Sequence, residues 1–297
     1  MGGLSFSDRA ARSVWRLFPK RVLSSAIGWG ANRGLHPSVR VAVLTRFART
    51  YGIDIAEAEK PLAEYAGLDD FFTRRLREGL RPIDQAADAV VSPADGTVVE
   101  CGLAEDGHLI QAKGVRFTLS ELLDDEELAQ RFRGGAYLTT YLSPRDYHRV
   151  HAPVAGGVVG WRHIPGQLFP VNAGSVRREP GLFVRNERFI SVIEGSCGVA
   201  AVVMVAAVGV GHVTASYDAD VATHGAHFQR AGVRHRRYAS PRPIARGGEL
   251  GIFHMGSTTI ALFEPGRVAL EPLSPGGSTK MGLRVGRIFD RPPGRES

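Results

Sequence analysis

A hydroxyl that directly follows a glycine can attack the peptide bond behind it, and Phe253-His-Met-Gly-Ser-Thr-Thr-Ile-Ala-Leu-Phe263 offers such a place. Glycine tolerates backbone strain that a Cβ would forbid, so Ser257 can be pressed against the Gly256 carbonyl. The same Gly256-Ser257-Thr258 also makes an ordinary turn into an apolar strand. Attack needs a base, and His148 and His151 stand three apart in Tyr141-Leu-Ser-Pro-Arg-Asp-Tyr-His-Arg-Val-His-Ala-Pro153. On a helix that spacing could ligate a metal. Here Pro144 and Pro153 bracket the pair and the neighbours read as strand and loop, where residues three apart point to opposite faces. No metal is expected, and two histidines serving two different steps is the more natural reading. Asp95, in Ser92-Pro-Ala-Asp-Gly96, suits a turn and carries a carboxylate. Together Asp95, His151 and Ser257 supply an orienting carboxylate, a base and a nucleophile. His254, three residues before Ser257, is a fallback base. Chance alone can produce such a trio in 297 residues, so the elements that hold it matter.

From about residue 88 the chain consists of short Val/Ile/Leu/Phe-rich runs punctuated by Gly, Pro and Asp, the texture of a largely β domain. The chain has 36 Gly and 17 Pro, above their usual combined share of about 12%, so many tight turns are expected. Cys197 to Gly211 is a run of low polarity too short to cross a bilayer and reads as one or two buried strands. One helical insert is expected over Leu119–Phe132, with Ser120 as its cap. Pro93-Ala-Asp-Gly-Thr-Val-Val99 and Pro153-Val-Ala-Gly-Gly-Val-Val159 share the pattern P-x-x-G-x-V-V, which suggests a pseudo-symmetric β core. Lipoyl and biotinyl carrier hairpins look similar, but neither echo carries their Lys.

Residues 5–80 read as helical. Ser7 can cap a first segment carrying Ala10, Val14, Leu17 and Phe18, and Pro19 breaks it. Val22, Leu23, Ala26, Ile27 and Trp29 mark a second segment, and Val43, Leu44, Phe47 and Tyr51 a third. Of the chain's net charge of +7, residues 1–40 hold +6: Arg9, Arg12, Arg16, Lys20, Arg21, Arg33 and Arg40 against Asp8 alone. Basic amphipathic helices edged by Trp and Phe suit an anionic membrane surface, without a span. A lid packed on its own core is the plainer alternative. Cys101 and Cys197 have no ligand-like spacing and read as reduced thiols in a cytosolic setting. The expected class is therefore α+β: a mainly β core of short antiparallel strands (81–297) behind a basic amphipathic helical membrane-binding region (1–80).

In this order, Phe71-Phe-Thr-Arg-Arg-Leu76, Arg81-Pro-Ile-Asp84, Ser92-Pro-Ala-Asp-Gly96, Gln111-Ala-Lys-Gly114, the histidine block Thr139–His151, Pro165-Gly-Gln-Leu-Phe169, Arg185-Asn-Glu-Arg188 and Gly248-Glu-Leu-Gly251 before Met255-Gly-Ser-Thr258 resemble the bacterial-type phosphatidylserine decarboxylases. Met255 stands where that family commonly has Leu, and Arg246 where it usually has Lys; a Leu-to-Met change at an apolar site alters little. The resemblance implies a pyruvoyl-dependent enzyme that turns phosphatidylserine into phosphatidylethanolamine and CO2. It implies self-cleavage between Gly256 and Ser257, with Ser257 becoming the pyruvoyl group and Asp95 and His151 completing the self-cleavage triad. Chains 1–256 and 257–297 would stay associated, and a homodimer of that unit is allowed. Removing CO2 from an α-amino acid leaves a carbanion, so an electron sink is required, and no unmodified side chain provides one. The pyruvoyl carbonyl, joined to the substrate amine, would serve without metal or pyridoxal phosphate.

His148 is then expected to act in decarboxylation and His151 in maturation. The expected place is the cytoplasmic face of the cell membrane, peripherally bound. A serine hydrolase lacks support because no G-x-S-x-G elbow is present. A nucleic-acid binder should carry its charge on a β surface or recognition helix with interleaved aromatics, whereas here it sits on interrupted amphipathic helices.

Overall fold

In a computed structural model, which describes residues 36–112, 115–207, 212–223, 232–254 and 257–289, strands dominate and the helices are short. The helices are α1 (Pro37–Tyr51), α2 (Leu68–Phe72), α3 (Leu119–Leu123), α4 (Glu126–Phe132), α5 (Ala173–Arg178) and α6 (Leu182–Arg185). The strands are β1 (Ala89–Val91), β2 (Gly96–Leu103), β3 (His108–Ala112), β4 (Val115–Thr118), β5 (Ala136–Leu142), β6 (Arg149–His151), β7 (Gly156–Ile164), β8 (Arg188–Gly195) and β9 (Gly198–Ala206). They continue with β10 (Val213–Ala215), β11 (Asp218–Ala222), β12 (Arg234–Ile244), β13 (Glu249–Phe253), β14 (Ser257–Phe263), β15 (Val268–Leu270), β16 (Ser278–Thr279) and β17 (Arg284–Ile288). The expected α+β, mainly antiparallel architecture is what the chain adopts.

An eight-stranded sheet, ordered β12-β7-β8-β9-β14-β5-β2-β16, forms the centre, and every neighbouring pair is antiparallel. Its two middle strands, β9 and β14, are buried along almost their whole length. Successive β9 residues serve opposite cores: Ala200, Val202 and Met204 pack with Phe253, Ala261 and Phe263, while Val199, Ala201, Val203 and Val205 pack with Ile260 and Leu262. Both faces are covered, so the sequence reads as a continuous apolar run rather than an alternating one.

The two echoed segments are related by an approximate two-fold. Val91 N–H donates to the Pro153 carbonyl while His151 N–H donates to that of Pro93, at 3.0 and 2.8 Å. Ser92 and Ala152 repeat the pattern, each bonded to an equivalent turn, Gly282–Leu283 in one case and Gly247–Gly248 in the other. β2 and β7 follow, each second from an edge of the sheet, and their outer partners β16 and β12 pair with Gly96–Thr97 and Gly156–Gly157 in matching register. One small sheet, β1-β17-β15, therefore corresponds to the other, β6-β13-β10-β11. This crossing brings β6, which ends at His151, against the turn that carries Asp95.

Two helical expectations change. Over 36–80, α-helix is confined to 37–51 and 68–72; α1 stops before Gly52, whose φ of +69° suits glycine, and the gap holds two single 3-10 turns, Ile55–Glu57 and Leu62–Glu64. The insert at 119–132 is two helices, because Asp124 adopts the left-handed conformation and Asp125 caps a new start. Its first cap is Thr118 rather than Ser120: the Thr118 side chain accepts from Glu121 N–H, and the Glu121 carboxylate accepts in return from Thr118 N–H. The segments expected around Ser7–Phe18 and Val22–Trp29 lie outside the described residues. Leu44 and Ala48 of α1 join Ile53, Ala58, Tyr65 and Phe71 in a small core of their own.

Candidate active site

Ser257 opens β14, pairing with Leu142 on β5 and Ala206 on β9, so its backbone is fixed on both sides. It is fully buried, and its Oγ has no hydrogen-bond partner. Leaving a buried hydroxyl unpaired costs about 1–3 kcal/mol. The hydroxyls of Thr139, Thr140, Thr258 and Thr259 are unpaired as well, and Ser257 differs from them in standing at the first position of β14. Met255 and Gly256 lie outside the described residues, so the cut expected between Gly256 and Ser257 falls at the edge of the description.

Thr97 and Thr258 both pair with Tyr141 on β5, which places the start of β2 and the start of β14 at one end of the sheet, two strand spacings or about 10 Å apart. Asp95 sits just before β2 at that end and is buried. Arg81 holds its carboxylate, with Nε 2.9 and 3.0 Å and Nη2 2.6 Å from the oxygens, and Met281 N–H donates at 2.9 Å. Arg81 is gripped in turn by Glu57, at 2.9 and 3.2 Å. Arg81, known from the sequence only as part of a motif, is thus the immediate partner of Asp95.

His151 Nδ1 lies 2.8 Å from the Gly247 carbonyl and therefore donates to it. That fixes the neutral tautomer with a lone pair on Nε2, where the Tyr147 hydroxyl donates at 3.3 Å. Burial is the main cause that pushes the imidazole below its usual pKa. No hydrogen bond joins Asp95, His151 and Ser257 to one another in the uncut chain. The turn carrying Gly247, supplied by the two-fold repeat, orients the base here, while the field of Asp95 reaches it from a distance.

His148 is fully buried under the Phe72 ring, with ring centroids 3.9 Å apart. Its Nδ1 donates to the Asp146 carbonyl at 2.8 Å, and Nε2 has no partner. Burial, helped by the nearby Arg74 cation, takes its pKa down to about 3. The ring is therefore neutral and offers a lone pair at Nε2.

His254 forms a different arrangement: Nδ1 is 2.9 Å from Asp69 on α2, Nε2 is 3.2 Å from the Thr214 hydroxyl, and the ring stacks on His212 at 3.7 Å. Among the described residues, no group of three or more His, Cys, Asp or Glu is arranged to hold a metal ion.

Sequence reasoning also missed Arg74. It is 3% exposed, donates through Nη2 to the Arg145 carbonyl at 3.1 Å, and leaves Nε and Nη1 without partners. Its signal was present in Phe71-Phe-Thr-Arg-Arg, a cation directly after two core aromatics.

A family model described as phosphatidylserine decarboxylase matches residues 68–287. A phosphatidylserine decarboxylase proenzyme from Anaeromyxobacter sp. (strain K) is 47% identical over 281 residues, covering 94% of this chain and 99% of that protein. A proenzyme of the same name from Myxococcus xanthus (strain DK1622) is 42% identical over 283 residues, 95% and 99% of the two chains. One from Bordetella avium (strain 197N) is 41% identical over 270 residues, 89% and 90%.

Proposed function

Because the chain belongs to the phosphatidylserine decarboxylase family, we propose that it is a proenzyme that cuts itself before Ser257 and then decarboxylates phosphatidylserine. The observation that carries the reading is the buried, unpartnered Oγ of Ser257 at the first position of a strand locked on both sides. A base takes the Ser257 proton, Oγ attacks the Gly256 carbonyl carbon, and the peptide C–N bond breaks as an ester forms. Loss of the Ser257 Cα proton then expels the Gly256 carboxylate, and hydrolysis releases ammonia. His151 suits the first proton transfer, since its Nε2 lone pair is set by the Gly247 bond and its imidazolium would feel the Asp95 charge.

The residue left at position 257 would be a pyruvoyl group, which supplies the electron sink that an α-amino acid needs to lose CO2. Ser257 fits as its precursor: the backbone partners Leu142 and Ala206 would hold the new terminus in place, and the unpaired Oγ would leave no hydrogen bond broken. β14 pairs with β5 and β9, β16 with β2, and β17 with β1, so the short chain 257–297 would remain folded into the long one. His148 Nε2 offers a lone pair beside this end of the sheet, and His148 accepts Phe253 N–H through its carbonyl, four residues before Ser257.

Denaturing electrophoresis with mass spectrometry tests the reading. Mature protein should give pieces 1–256 and 257–297, the short one lacking a free amine at its start. Ser257→Ala should stay whole and release no CO2 from phosphatidylserine. Active enzyme recovered as one uncut chain would sink it.

A further inference from the structure

Arg74 is a buried cation that the fold does not neutralise by contact. Of its three guanidinium nitrogens only Nη2 is bonded, to the Arg145 carbonyl, and its other neighbour is the Phe71 ring, 5.4 Å from Cζ. The acids whose fields reach it, Glu57 and Asp95, are both engaged by Arg81. The unpaired hydroxyls of Thr139, Thr140, Thr258 and Thr259 are neutral and sit inside the sheet, whereas an unpaired charge is far more costly to bury. Burial accordingly pushes the guanidinium below its usual range.

The position is also specific. Segment 72–74 runs along 145–149: the Phe72 ring lies on His148, Arg149 Nε donates to the Thr73 carbonyl, and Arg74 donates to that of Arg145. Arg74 therefore leaves Nε and Nη1 unbonded close enough to His148, whose Nε2 lone pair is also free, for its charge to be felt there.

We propose that Arg74 is the receptor for the phosphodiester of the lipid headgroup, a role that rests on the decarboxylase reading above. A guanidinium fork matches two phosphate oxygens. The substrate's other anion, the carboxylate, is the poorer partner. Its charge moves away as CO2 forms, so a cation bonded to it would stabilise the ground state more than the transition state and slow the reaction. A phosphodiester keeps its charge throughout, and binding it there would hold the serine amine and carboxylate toward residue 257 and His148.

The test uses matured enzyme and two substrates, phosphatidylserine and an O-alkyl serine that has the amine and carboxylate but no phosphate. In Arg74→Gln, kcat/KM for the lipid relative to that for the analogue should fall on the order of ten- to a hundredfold, mainly through KM, the loss of a charge-assisted contact. Arg74→Lys should recover part of it. An unchanged ratio, or an equal fall for both substrates, overturns the proposal.

Wild-type enzyme gives an independent arm should the variants fail to mature. Glycerophosphoglycerol, a bare anionic phosphodiester, should compete with phosphatidylserine and not with the analogue, and absence of competition overturns the assignment. Competition by inorganic phosphate combined with an unchanged lipid-to-analogue ratio would make free phosphate the ligand and also overturn it. Wild-type enzyme that releases CO2 from neither substrate would instead overturn the decarboxylase reading itself.

Discussion

The chemistry of each histidine is set by what its Nδ1 touches. Both His148 and His151 donate to a backbone carbonyl, so both present a basic Nε2, but the two lone pairs meet different surroundings. That of His151 is occupied by the Tyr147 hydroxyl and felt by Asp95 and Glu249, which favour an imidazolium once the proton arrives. That of His148 is empty, lies under Phe72 and is disfavoured as an imidazolium by burial and by Arg74. His151 is thus the better proton acceptor in the uncut chain. His148 becomes useful when a bound substrate brings its own charge or proton. His148→Ala should therefore leave self-cleavage largely intact and reduce decarboxylation at least ~10²-fold, the lower range for a lost acid–base group. Fragment yield and CO2 release measured on one preparation check this. Blocked cleavage, or turnover within a few-fold of wild type, would show that the two histidines do not divide the work in this way.

At the scale of elements, what the sequence made legible was whatever has a local cause. The run from Cys197 became β9 because eight of its nine residues are buried, on two faces, and such a strand needs no alternation. The P-x-x-G-x-V-V echo became two equivalent turn-plus-strand units because each carries its own turn residues ahead of a β-branched strand start. Illegible were the features that depend on distant partners. Nothing near Asp95 in the chain announces that Arg81 and Met281 N–H will hold it, and nothing near His151 announces the Gly247 carbonyl. The single helix expected at 119–132 failed for a local reason, the left-handed Asp124, which the apolar periodicity conceals.

The Glu57–Arg81–Asp95 chain makes a prediction at this scale. The segment between α1 and β1 carries the cation that holds the Asp95 carboxylate in place, so Arg81→Met should slow self-cleavage at least ~10-fold. Arg81→Lys should recover part, since it keeps the charge and loses the fork. The fraction uncut over time after synthesis, read beside the thermal midpoint, separates lost positioning from lost folding. Wild-type cleavage rates in Arg81→Met would show that Asp95 does not need this partner.

At the scale of the whole molecule, the charge and the fold divide the chain differently. The net +6 of residues 1–40 lies almost wholly ahead of the described residues. α1, by contrast, belongs to both sides: Leu44 and Ala48 face the small core, while Val39, Val43, Arg46 and Arg49 face outward. No helix among the described residues is long and apolar enough to cross a membrane, and an outward stripe of Val and Arg suits contact in the plane of a bilayer. We therefore propose that residues 1–80 dock the enzyme on an anionic membrane surface, with 81–297 as the self-processing unit. A lipid-headgroup site beside α2 would then open toward the surface that supplies its substrate. Removing residues 1–35 deletes the densest positive charge and spares Leu44 and Ala48, so cleavage should persist. Each basic residue near an anionic surface contributes about 1 kcal/mol, reduced by salt, so vesicle co-sedimentation of the truncated chain should weaken at least ~10-fold at low salt. The residual binding, carried by α1, should fall further in a Val39→Ser, Val43→Ser double variant. Truncated protein that sediments with anionic vesicles as the full chain does, at low and high salt alike, would place the membrane contact elsewhere on the molecule.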